Sequence, residues 1–384
     1  MQQASKALWR KVGTLLSDVR KGMTIVLGAG VAGASCAFAL ARQGAHVRVV
    51  ESNAMSSWRI GETLGAGVRP VLQSLGVWDE YVAGGHLPCH GNASAWGADA
   101  LVEKEFIFNP HGNAWQLDRI ALERMLVGAA EKAGAVIQRG QAIGNVERTG
   151  AEWRVRIGSD TIAAKWLIDA TGHRAFVARK MGVKRFILDQ LVAIYGVATS
   201  LSGTDNDSRT YIESCSDGWW YSALMPGGRR TVSFQTDADL LAGQGWRTKE
   251  WFAMRLRQTR HIARLMAGHR YEFKQAPQIT SAHSGRLKQF RGDGWLAIGD
   301  AAMSFDPLSG QGILKAMQSG LKAAELVVTN SMNDGVFFEA WNEDRWLQFS
   351  HGRSRHYAAE QRWVDSVFWA RRIPSGQLHA ADSR

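Results

Sequence analysis

The alternation of hydrophobic and polar residues becomes regular at Met23 and predicts a strand, a helix and a second strand in succession. The run MTIVLGAG (23–30) is typical of a buried strand that leads into a glycine turn. VAGASCAFALARQ (31–43) has the composition of a packed helix that ends before Gly44. HVRVVE (46–51) predicts the next strand. Together these segments predict the start of a βαβ arrangement.

The rest of the pattern predicts an α/β fold in which antiparallel strands interrupt the first unit. A helix is predicted at about 119–134, and short strand-like runs follow it. Residues 190–236 contain several alternating runs, which favour an antiparallel sheet. WLAIGD (295–300) predicts a last core strand, which a turn and a helix over 311–329 follow, and the tail from residue 335 is predicted to be helical. No repeat or Pro-rich linker separates these parts, so we expect interleaved domains.

Composition favours a folded chain without membrane spans. Hydrophobic residues make up 45% and charged residues 21% of the 384 positions. No apolar run approaches the roughly 18 residues that a membrane span needs. The first 22 residues lack the apolar core of a signal peptide, and the three cysteines are too few and too far apart for a disulfide framework. A cytoplasmic location is therefore expected.

The formal charge of +11 is compatible with nucleic acid, a membrane surface or an acidic partner. The basic residues are spread along the chain and no nucleic-acid motif is present, so nucleic acid is not an expected ligand. Residues 1–22 predict a basic amphipathic helix or an extension in front of the first domain. His86, Cys89 and His90 lack a fourth ligand at a familiar spacing, so no metal site is predicted.

Three glycines after the first strand carry the clearest chemical signal. Gly28, Gly30 and Gly33 form a GxGxxG sequence between a strand and a helix, which is the setting of a dinucleotide-binding turn. There Gly28 permits the tight turn, Gly30 lets the backbone approach a pyrophosphate, and Gly33 lets helix and strand pack closely. Glu51 ends the second strand, 18 residues after Gly33, where a carboxylate can accept hydrogen bonds from a ribose. The helix N-terminus that favours the anionic pyrophosphate includes Val31 and Ala32.

A segment near the other end of the chain distinguishes FAD from NAD. WLAIGDAAMSFDPLSGQGILKAMQSG (295–320) contains a strand, an aspartate, a glycine-bearing turn and a new helix. With the first turn, it resembles the flavoprotein monooxygenases of the aromatic-hydroxylase and tryptophan-halogenase superfamily. The resemblance implies that Asp300 bonds the sugar-like part of FAD, and that the turn from Asp306 to Gly312 presents backbone N–H groups to the flavin ring. The cofactor-contacting members of this turn are expected to be Pro307, Gly310, Gln311 and Gly312.

Three intermediate segments extend the resemblance over roughly residues 23–371. They are WRIGETL (58–64), WQLDR (115–119) and LIDATGHR (167–174). The resemblance implies that Arg59 and Arg119 reach the cofactor, and that the third segment is the strand that returns under the nucleotide. Glu62 is the other polar member of the first segment.

The resemblance also implies a domain organisation. We expect a Rossmann-like FAD-binding domain of the glutathione-reductase type, interleaved with an antiparallel-sheet substrate domain and followed by a helical tail. The expected parts are the basic N-terminal segment (1–22), a discontinuous FAD-binding domain (23–185 and 281–330), the substrate-binding sheet domain (186–280) and the C-terminal helical segment (331–384).

Two departures from the family pattern count against halogenation. Flavin-dependent halogenases place a lysine in the substrate chamber downstream of the GE segment, whereas this chain has no lysine between Lys21 and Lys104. They also carry a WxWxIP segment. In GWWYSALMP (218–226) the places of its tryptophans and isoleucine hold other residues, namely Tyr221, Ala223 and Met225. Halogenation and a non-hydroxylating FAD reductase remain the alternatives to hydroxylation.

Three dispersed segments are most similar to one subgroup of hydroxylases. They are GWWYSALMP, TDADL (236–240) and YAAEQRWVDSVFWARR (357–372). The subgroup hydroxylates a tryptophan within a partner protein during the maturation of tryptophylquinone cofactors. An aromatic substrate is expected, either a tryptophan of a partner protein or a small metabolite. Trp219, Trp220 and Tyr221 are the candidate substrate wall, and the alternative is that they pack a core strand.

The resemblance implies a reaction in which O₂ adds to reduced FAD at C4a and the distal oxygen passes to an electron-rich aromatic carbon. Only one dinucleotide fingerprint is present, so electrons are expected either from NAD(P)H directly or through a separate flavin reductase. Glu62 and Asp306 are the candidate catalytic residues. A base that deprotonates the substrate is expected to be Glu62 or a chamber histidine.

Overall fold

The computed structural model describes residues 22–54, 60–203, 205–330 and 332–373. The predicted N-terminal helix, apart from its last residue, and the predicted cofactor residue Arg59 lie outside the described residues.

The strands of the described residues fall into five sheets. In chain order the first twelve are β1 (Thr24–Leu27), β2 (Val47–Glu51), β3 (Thr63–Leu64), β4 (Leu87–Cys89), β5 (Gly91–Ala95), β6 (Val102–Glu105), β7 (Ala114–Gln116), β8 (Val136–Arg139), β9 (Ile143–Thr149), β10 (Glu152–Ile157), β11 (Asp160–Ala164) and β12 (Trp166–Asp169). The others are β13 (Arg185–Ile187), β14 (Leu191–Ser200), β15 (Thr210–Cys215), β16 (Gly218–Met225), β17 (Arg229–Asp237), β18 (Tyr271–Phe273), β19 (Gln278–Ser281), β20 (Gly285–Leu287), β21 (Arg291–Gly292), β22 (Trp295–Ala297) and β23 (Met303–Ser304).

Helices cover the sheets and connect them. The α-helices of the described residues are α1 (Val31–Arg42), α2 (Val68–Leu75), α3 (Trp78–Val82), α4 (Arg119–Lys132), α5 (Phe176–Lys180), α6 (Lys249–Leu256), α7 (His261–Gly268), α8 (Gly312–Thr329), α9 (Met332–Ala358) and α10 (Val367–Ala370). Short 3₁₀ turns lie at Gly172–Arg174, Ala238–Leu241, Gly299–Ala301 and Pro307–Ser309.

The first sheet has the strand order β21-β22-β12-β1-β2-β8, and all its pairs are parallel except β21 with β22. Strand β1 is buried along its whole length, as expected of a central parallel strand that is covered on both faces. Helix α1 follows it and packs against α4 and α8. This arrangement places the GxGxxG turn at the carboxyl end of the central strand, where open α/β sheets bind ligands.

The largest sheet has the order β18-β14-β17-β16-β15-β5-β6, with β19 also paired to β14. Its neighbours are antiparallel except β15 and β5, which run parallel with Thr210 opposite Asn92. Strand β16 is almost completely buried because both of its faces are covered. One face packs in a cluster with Phe252 and Ile262 of helices α6 and α7, and the other packs with the C-terminal residues Tyr357 and Trp369.

The structure confirms the predicted α/β fold, with a Rossmann-like sheet, an inserted antiparallel sheet and a helical C-terminal region. The residue boundaries of the two domains remain a prediction. Sheet membership cuts across them, because β5 and β6 precede residue 186 and nevertheless complete the antiparallel sheet.

Candidate functional site

One cavity of about 720 Å³ connects the GxGxxG turn, the second glycine-bearing turn and the antiparallel sheet. Most of the residues predicted to bind cofactor or substrate or to act in catalysis line it, although they come from distant parts of the chain. They are Gly28, Gly30, Val31, Ala32, Glu51, Glu62, Arg119, Trp219, Tyr221, Asp300, Asp306, Pro307, Gly310, Gln311 and Gly312. Gly33 and Trp220 do not line it.

The three glycines of the first turn serve three different geometric needs. Gly28 has φ +105°, and a Cβ there would lie 2.4 Å from the carbonyl oxygen of Ala170. A Cβ on Gly33 would lie 2.0 Å from the carbonyl oxygen of Gly28, so only glycine at this position lets the helix pack this closely against the turn. A Cβ on Gly30 would meet nothing within 4 Å, because it would point into open space of the cavity. The turn therefore leaves room for a ligand at Gly30 alone among these three.

Glu51 lies beside this turn. Its Oε2 accepts a hydrogen bond from the backbone N–H of Ala29 (2.9 Å), and its Oε1 accepts one from the N–H of Asn53 (2.9 Å). These bonds fix the orientation of the carboxylate at the cavity wall. Each oxygen keeps further acceptor capacity for a ribose hydroxyl.

Asp300 lies at the edge of the cavity, with 43% of its side chain exposed. Its Oδ1 accepts a hydrogen bond from Nζ of the buried Lys315 (2.8 Å), and His173 Nε2 lies 3.9 Å from its Oδ2. Burial alone would raise the pKa of Asp300, but Lys315 and His173 hold it below its ordinary value. Asp300 is thus a carboxylate that can accept hydrogen bonds from sugar-like hydroxyls.

The turn after Asp306 leads into the N-terminus of α8. Asp306 is buried, and its Oδ1 accepts a hydrogen bond from the N–H of Leu308 (3.0 Å), so its side chain caps the 3₁₀ turn Pro307–Ser309. Gly310 has φ +60°, which reverses the chain before α8 begins at Gly312. The positive end of the helix dipole therefore faces the cavity, where it favours a group that becomes anionic on reduction.

Arg119 lines the same cavity as the two glycine turns, and hydrogen bonds to the protein hold its side chain in place. Its guanidinium donates hydrogen bonds to the carbonyl oxygen of Gly61 (3.0 Å) and to Oε1 of Glu123 (3.0 Å). Arg119 therefore supplies positive charge to the wall of this cavity.

Glu62 is completely buried and lines the cavity. Its Oε1 accepts a hydrogen bond from Thr231 Oγ1 (3.2 Å), whereas its Oε2 has no partner among the described atoms. Burial raises the pKa of Glu62 to about 7, against smaller lowering contributions from backbone N–H groups, Thr231 and Arg119. A carboxyl group of this kind can exchange a proton near neutral pH.

The aromatic residues of β16 divide between the two faces of the strand. Trp219 and Tyr221 face the cavity, and the Tyr221 hydroxyl is hydrogen-bonded to Thr63 Oγ1 at 2.7 Å. Trp220 points the other way, because neighbouring side chains of a strand alternate. It stacks on Phe234 at 4.9 Å and packs against Phe252 at 5.3 Å. The expectation that Trp220 lines the substrate chamber is corrected accordingly.

Sequence reasoning missed several polar residues of the site. Lys315 forms the ion pair with Asp300, and Arg185 donates to the backbone carbonyl oxygens of Asp300 and Ala301 and to Ser304 Oγ. Tyr195 and Gln235 line the cavity from the antiparallel sheet. One signal was readable in the sequence: Lys315 follows the glycine turn by about one helical turn, which keeps it close to that turn.

The described helices include no candidate for a membrane span. The same part of the chain holds no group of three or more His, Cys, Asp or Glu side chains placed to bind a metal ion.

Comparison with known proteins decides which dinucleotide this site fits. Residues 22–328 match the FAD_binding_3 family, described as an FAD binding domain. The chain belongs to this family. The open space at Gly30, the carboxylates of Glu51 and Asp300 and the helix N-terminus at Gly312 agree with FAD, whose pyrophosphate, hydroxyl groups and ring such features suit.

Sequence relatives of this FAD-binding chain are oxidoreductases and halogenases. The putative FAD-dependent oxidoreductase LodB of Marinomonas mediterranea is 29% identical over 367 residues, which cover 93% of this chain and 98% of LodB. The tryptophan 2-halogenase of Chondromyces crocatus is 26% identical over 326 residues, which cover 79% of this chain and 60% of that enzyme.

Solved structures show the same fold. The myxobacterial halogenase CndH superposes with a TM-score of 0.83 at 21% identity, covering 93% of this chain and 87% of CndH. The peptidyl tryptophan dihydroxylase QhpG superposes with a TM-score of 0.75 at 24% identity, covering 91% of this chain and 78% of QhpG. The chain is a flavin-dependent oxidoreductase of the aromatic-hydroxylase and halogenase superfamily.

Proposed function

We propose that this oxidoreductase is an FAD-dependent monooxygenase that hydroxylates an electron-rich aromatic ring. The observation that carries the proposal is the environment of Glu62, a buried carboxyl of the cavity with one unpartnered oxygen. No lysine is among the described residues that line the cavity. The family's halogenases use a chamber lysine, so the chemistry of this lining favours oxygen transfer with loss of a proton.

The overall reaction requires a place for that proton. Reduced FAD, when bound, supplies two electrons and activates O₂. One oxygen atom replaces a ring hydrogen, the other leaves as water, and the displaced ring proton needs an acceptor. With a pKa near 7, Glu62 is ionised in a large part of the molecules at neutral pH, and its Oε2 can accept this proton.

Two aromatic residues of the cavity would orient the substrate ring. Trp219 and Tyr221 form an aromatic wall, against which an aromatic substrate gains about 0.5–1.5 kcal/mol per ring pair. Tyr221 is held by Thr63, which itself bonds to Gln116 (2.8 Å). This fixed wall favours one orientation of the ring toward the second glycine turn.

We propose a tryptophan of a partner protein as the substrate. Two observations support this choice: the tail and β16 segments that resemble the tryptophan-hydroxylating subgroup, and the fold shared with QhpG. The formal charge of +11 would speed encounter with an acidic partner, an effect that salt screens. Electrons would come from NAD(P)H directly or from a separate flavin reductase. Consumption of NADPH with and without an added flavin reductase distinguishes these two sources.

The substrate proposal is tested with three tryptophan probes. They are free tryptophan, an acidic unfolded polypeptide with one tryptophan, and a basic polypeptide of the same length. We expect oxygen incorporation mainly into the acidic polypeptide, and a rate that falls as salt is added. Faster hydroxylation of free tryptophan or of another small aromatic would instead identify a metabolite hydroxylase. Glu62→Gln should lower the rate on whichever probe is used and abolish its rise through about pH 7.

A further inference from the structure

Tyr357, near the end of α9, does not line the cavity but contacts two residues that do, Trp219 and Asp306. It is completely buried. Its hydroxyl accepts a hydrogen bond from Trp219 Nε1 (3.1 Å) and donates one to Oδ2 of Asp306 (2.7 Å). A single hydroxyl from the C-terminal helix therefore joins the aromatic wall to the residue that caps the second glycine turn.

Few other contacts are available to the two groups that Tyr357 joins. Within the described part of the chain, Asp306 Oδ2 has one further partner, Nε of Arg353, at the longer distance of 3.3 Å. Trp219 and Asp306 are both buried, so water has little access to either group. Without the hydroxyl, the indole N–H of Trp219 would lose its partner and Oδ2 of Asp306 would keep only Arg353. Buried polar groups that lose a partner in this way are costly.

Packing holds the ring of Tyr357 independently of its hydroxyl. The guanidinium groups of Arg353 and Arg372 lie 4.7 Å and 5.5 Å from the ring centroid. The rings of Trp96 and Trp369 lie 5.9 Å and 5.7 Å away. A phenylalanine at this position should therefore keep the same place, so its effects report on the hydroxyl.

We propose that Tyr357 is a positioning residue that couples the substrate wall at Trp219 to the flavin-facing turn at Asp306. Helix α9 thus contributes a hydroxyl group that holds residues of the site in position. By holding the Asp306 side chain against Leu308 N–H, Tyr357 fixes the turn that aims the N-terminus of α8 into the cavity. The inference depends on FAD binding and not on which aromatic reaction follows.

The test compares Tyr357→Phe with Tyr81→Phe. Tyr81 is also completely buried, but its hydroxyl has no hydrogen-bond partner among the described atoms, so its removal breaks no such bond. We expect Tyr357→Phe to weaken FAD binding about tenfold, equivalent to about 1.4 kcal/mol. We also expect a more negative reduction potential for the bound FAD, because a loosened helix N-terminus stabilises the reduced ring less. Tyr81→Phe should leave both quantities unchanged.

Two results would overturn the proposal. One is a Tyr357→Phe protein that unfolds more easily but keeps the natural FAD affinity and reduction potential, which would make the hydroxyl purely structural. The other comes from a double-mutant cycle with Asp306→Asn. Coupling predicts that the two changes together cost less than the sum of their separate effects on FAD binding, whereas simple additivity would contradict it. If Tyr357→Phe folds poorly, Asp306→Asn alone tests the other end of the same hydrogen bond, and an unchanged FAD affinity of that variant would also contradict the proposal.

Discussion

Replacing Glu62 by Gln should change how the stability of the protein depends on pH. In the folded protein the pKa of Glu62 is raised from 4.5 to about 7 by burial. Below about pH 4.5 the group is protonated in both the folded and the unfolded states, so it carries no penalty. As the pH rises toward 7, the unfolded state ionises first, and the folded state loses stability relative to it. The glutamine side chain of the Glu62→Gln protein cannot ionise, so that protein escapes this loss.

The size of the effect follows from the shift. The rise in the pKa of Glu62 from 4.5 to about 7 corresponds to a loss of about 3 kcal/mol in the free energy of unfolding, at 1.36 kcal/mol per pKa unit. Most of this loss develops between about pH 5 and pH 8. The free energy of unfolding of Glu62→Gln, relative to that of the natural protein, should therefore rise by about 2–3 kcal/mol over that interval.

Urea unfolding of the cofactor-free protein, followed at several pH values, measures this difference. Glu325→Gln is the matched control, because Glu325 is an exposed carboxylate on α8 whose ion pair is with the neighbouring Lys322. The control should show a pH dependence close to that of the natural protein. A relative stability of Glu62→Gln that stays flat from pH 5 to pH 8 would show that burial does not raise the pKa of this carboxyl to about 7.

Three further predictions concern single contacts. Gly30→Val should abolish FAD binding, measured by fluorescence titration, yet leave the melting temperature nearly unchanged, because its side chain would enter only the open space of the cavity. Gly33→Ala should lower the melting temperature, because its Cβ would lie 2.0 Å from the Gly28 carbonyl oxygen. Trp220→Ala should cost about 3–5 kcal/mol of stability in urea unfolding and leave the FAD affinity of the folded protein unchanged, since it empties core space behind the sheet. Lys315→Met should raise the pKa of Asp300. When the pH is lowered, the FAD affinity measured by calorimetry should therefore begin to fall at a higher pH than in the natural protein. Lys322→Met on the same helix should not change this pH dependence.

Local patterns were sufficient to predict the nucleotide-binding part of the fold. The roles of Gly28 and Gly33 depend on atoms that lie within the same βαβ unit or next to it, so glycine spacing and hydrophobic runs capture them. The cap that Asp306 forms on Leu308 also spans only two residues, but the sequence indicated Asp306 only as a turn member and catalytic candidate and did not predict this cap.

Contacts between distant segments could not be predicted in this way. Strand β5 joins the antiparallel sheet by pairing with β15, with Asn92 opposite Thr210. The short alternating sequence of a strand does not show which other strand it will pair with. Tyr357 reaches Asp306 across 51 residues. The opposite orientations of Trp219 and Trp220 follow from strand alternation, but only the packing shows which of them faces the cavity.

The most direct test of the proposed hydroxylation is mass spectrometry of an acidic tryptophan-containing polypeptide after incubation with the FAD-loaded enzyme. The mixture contains a reductant, isotopically labelled O₂ and bromide, so that hydroxylation and halogenation compete in one vessel. We expect labelled oxygen in the indole ring, no brominated product, and much less incorporation by Glu62→Gln. A brominated product that requires reduced FAD and O₂ would instead identify a halogenase.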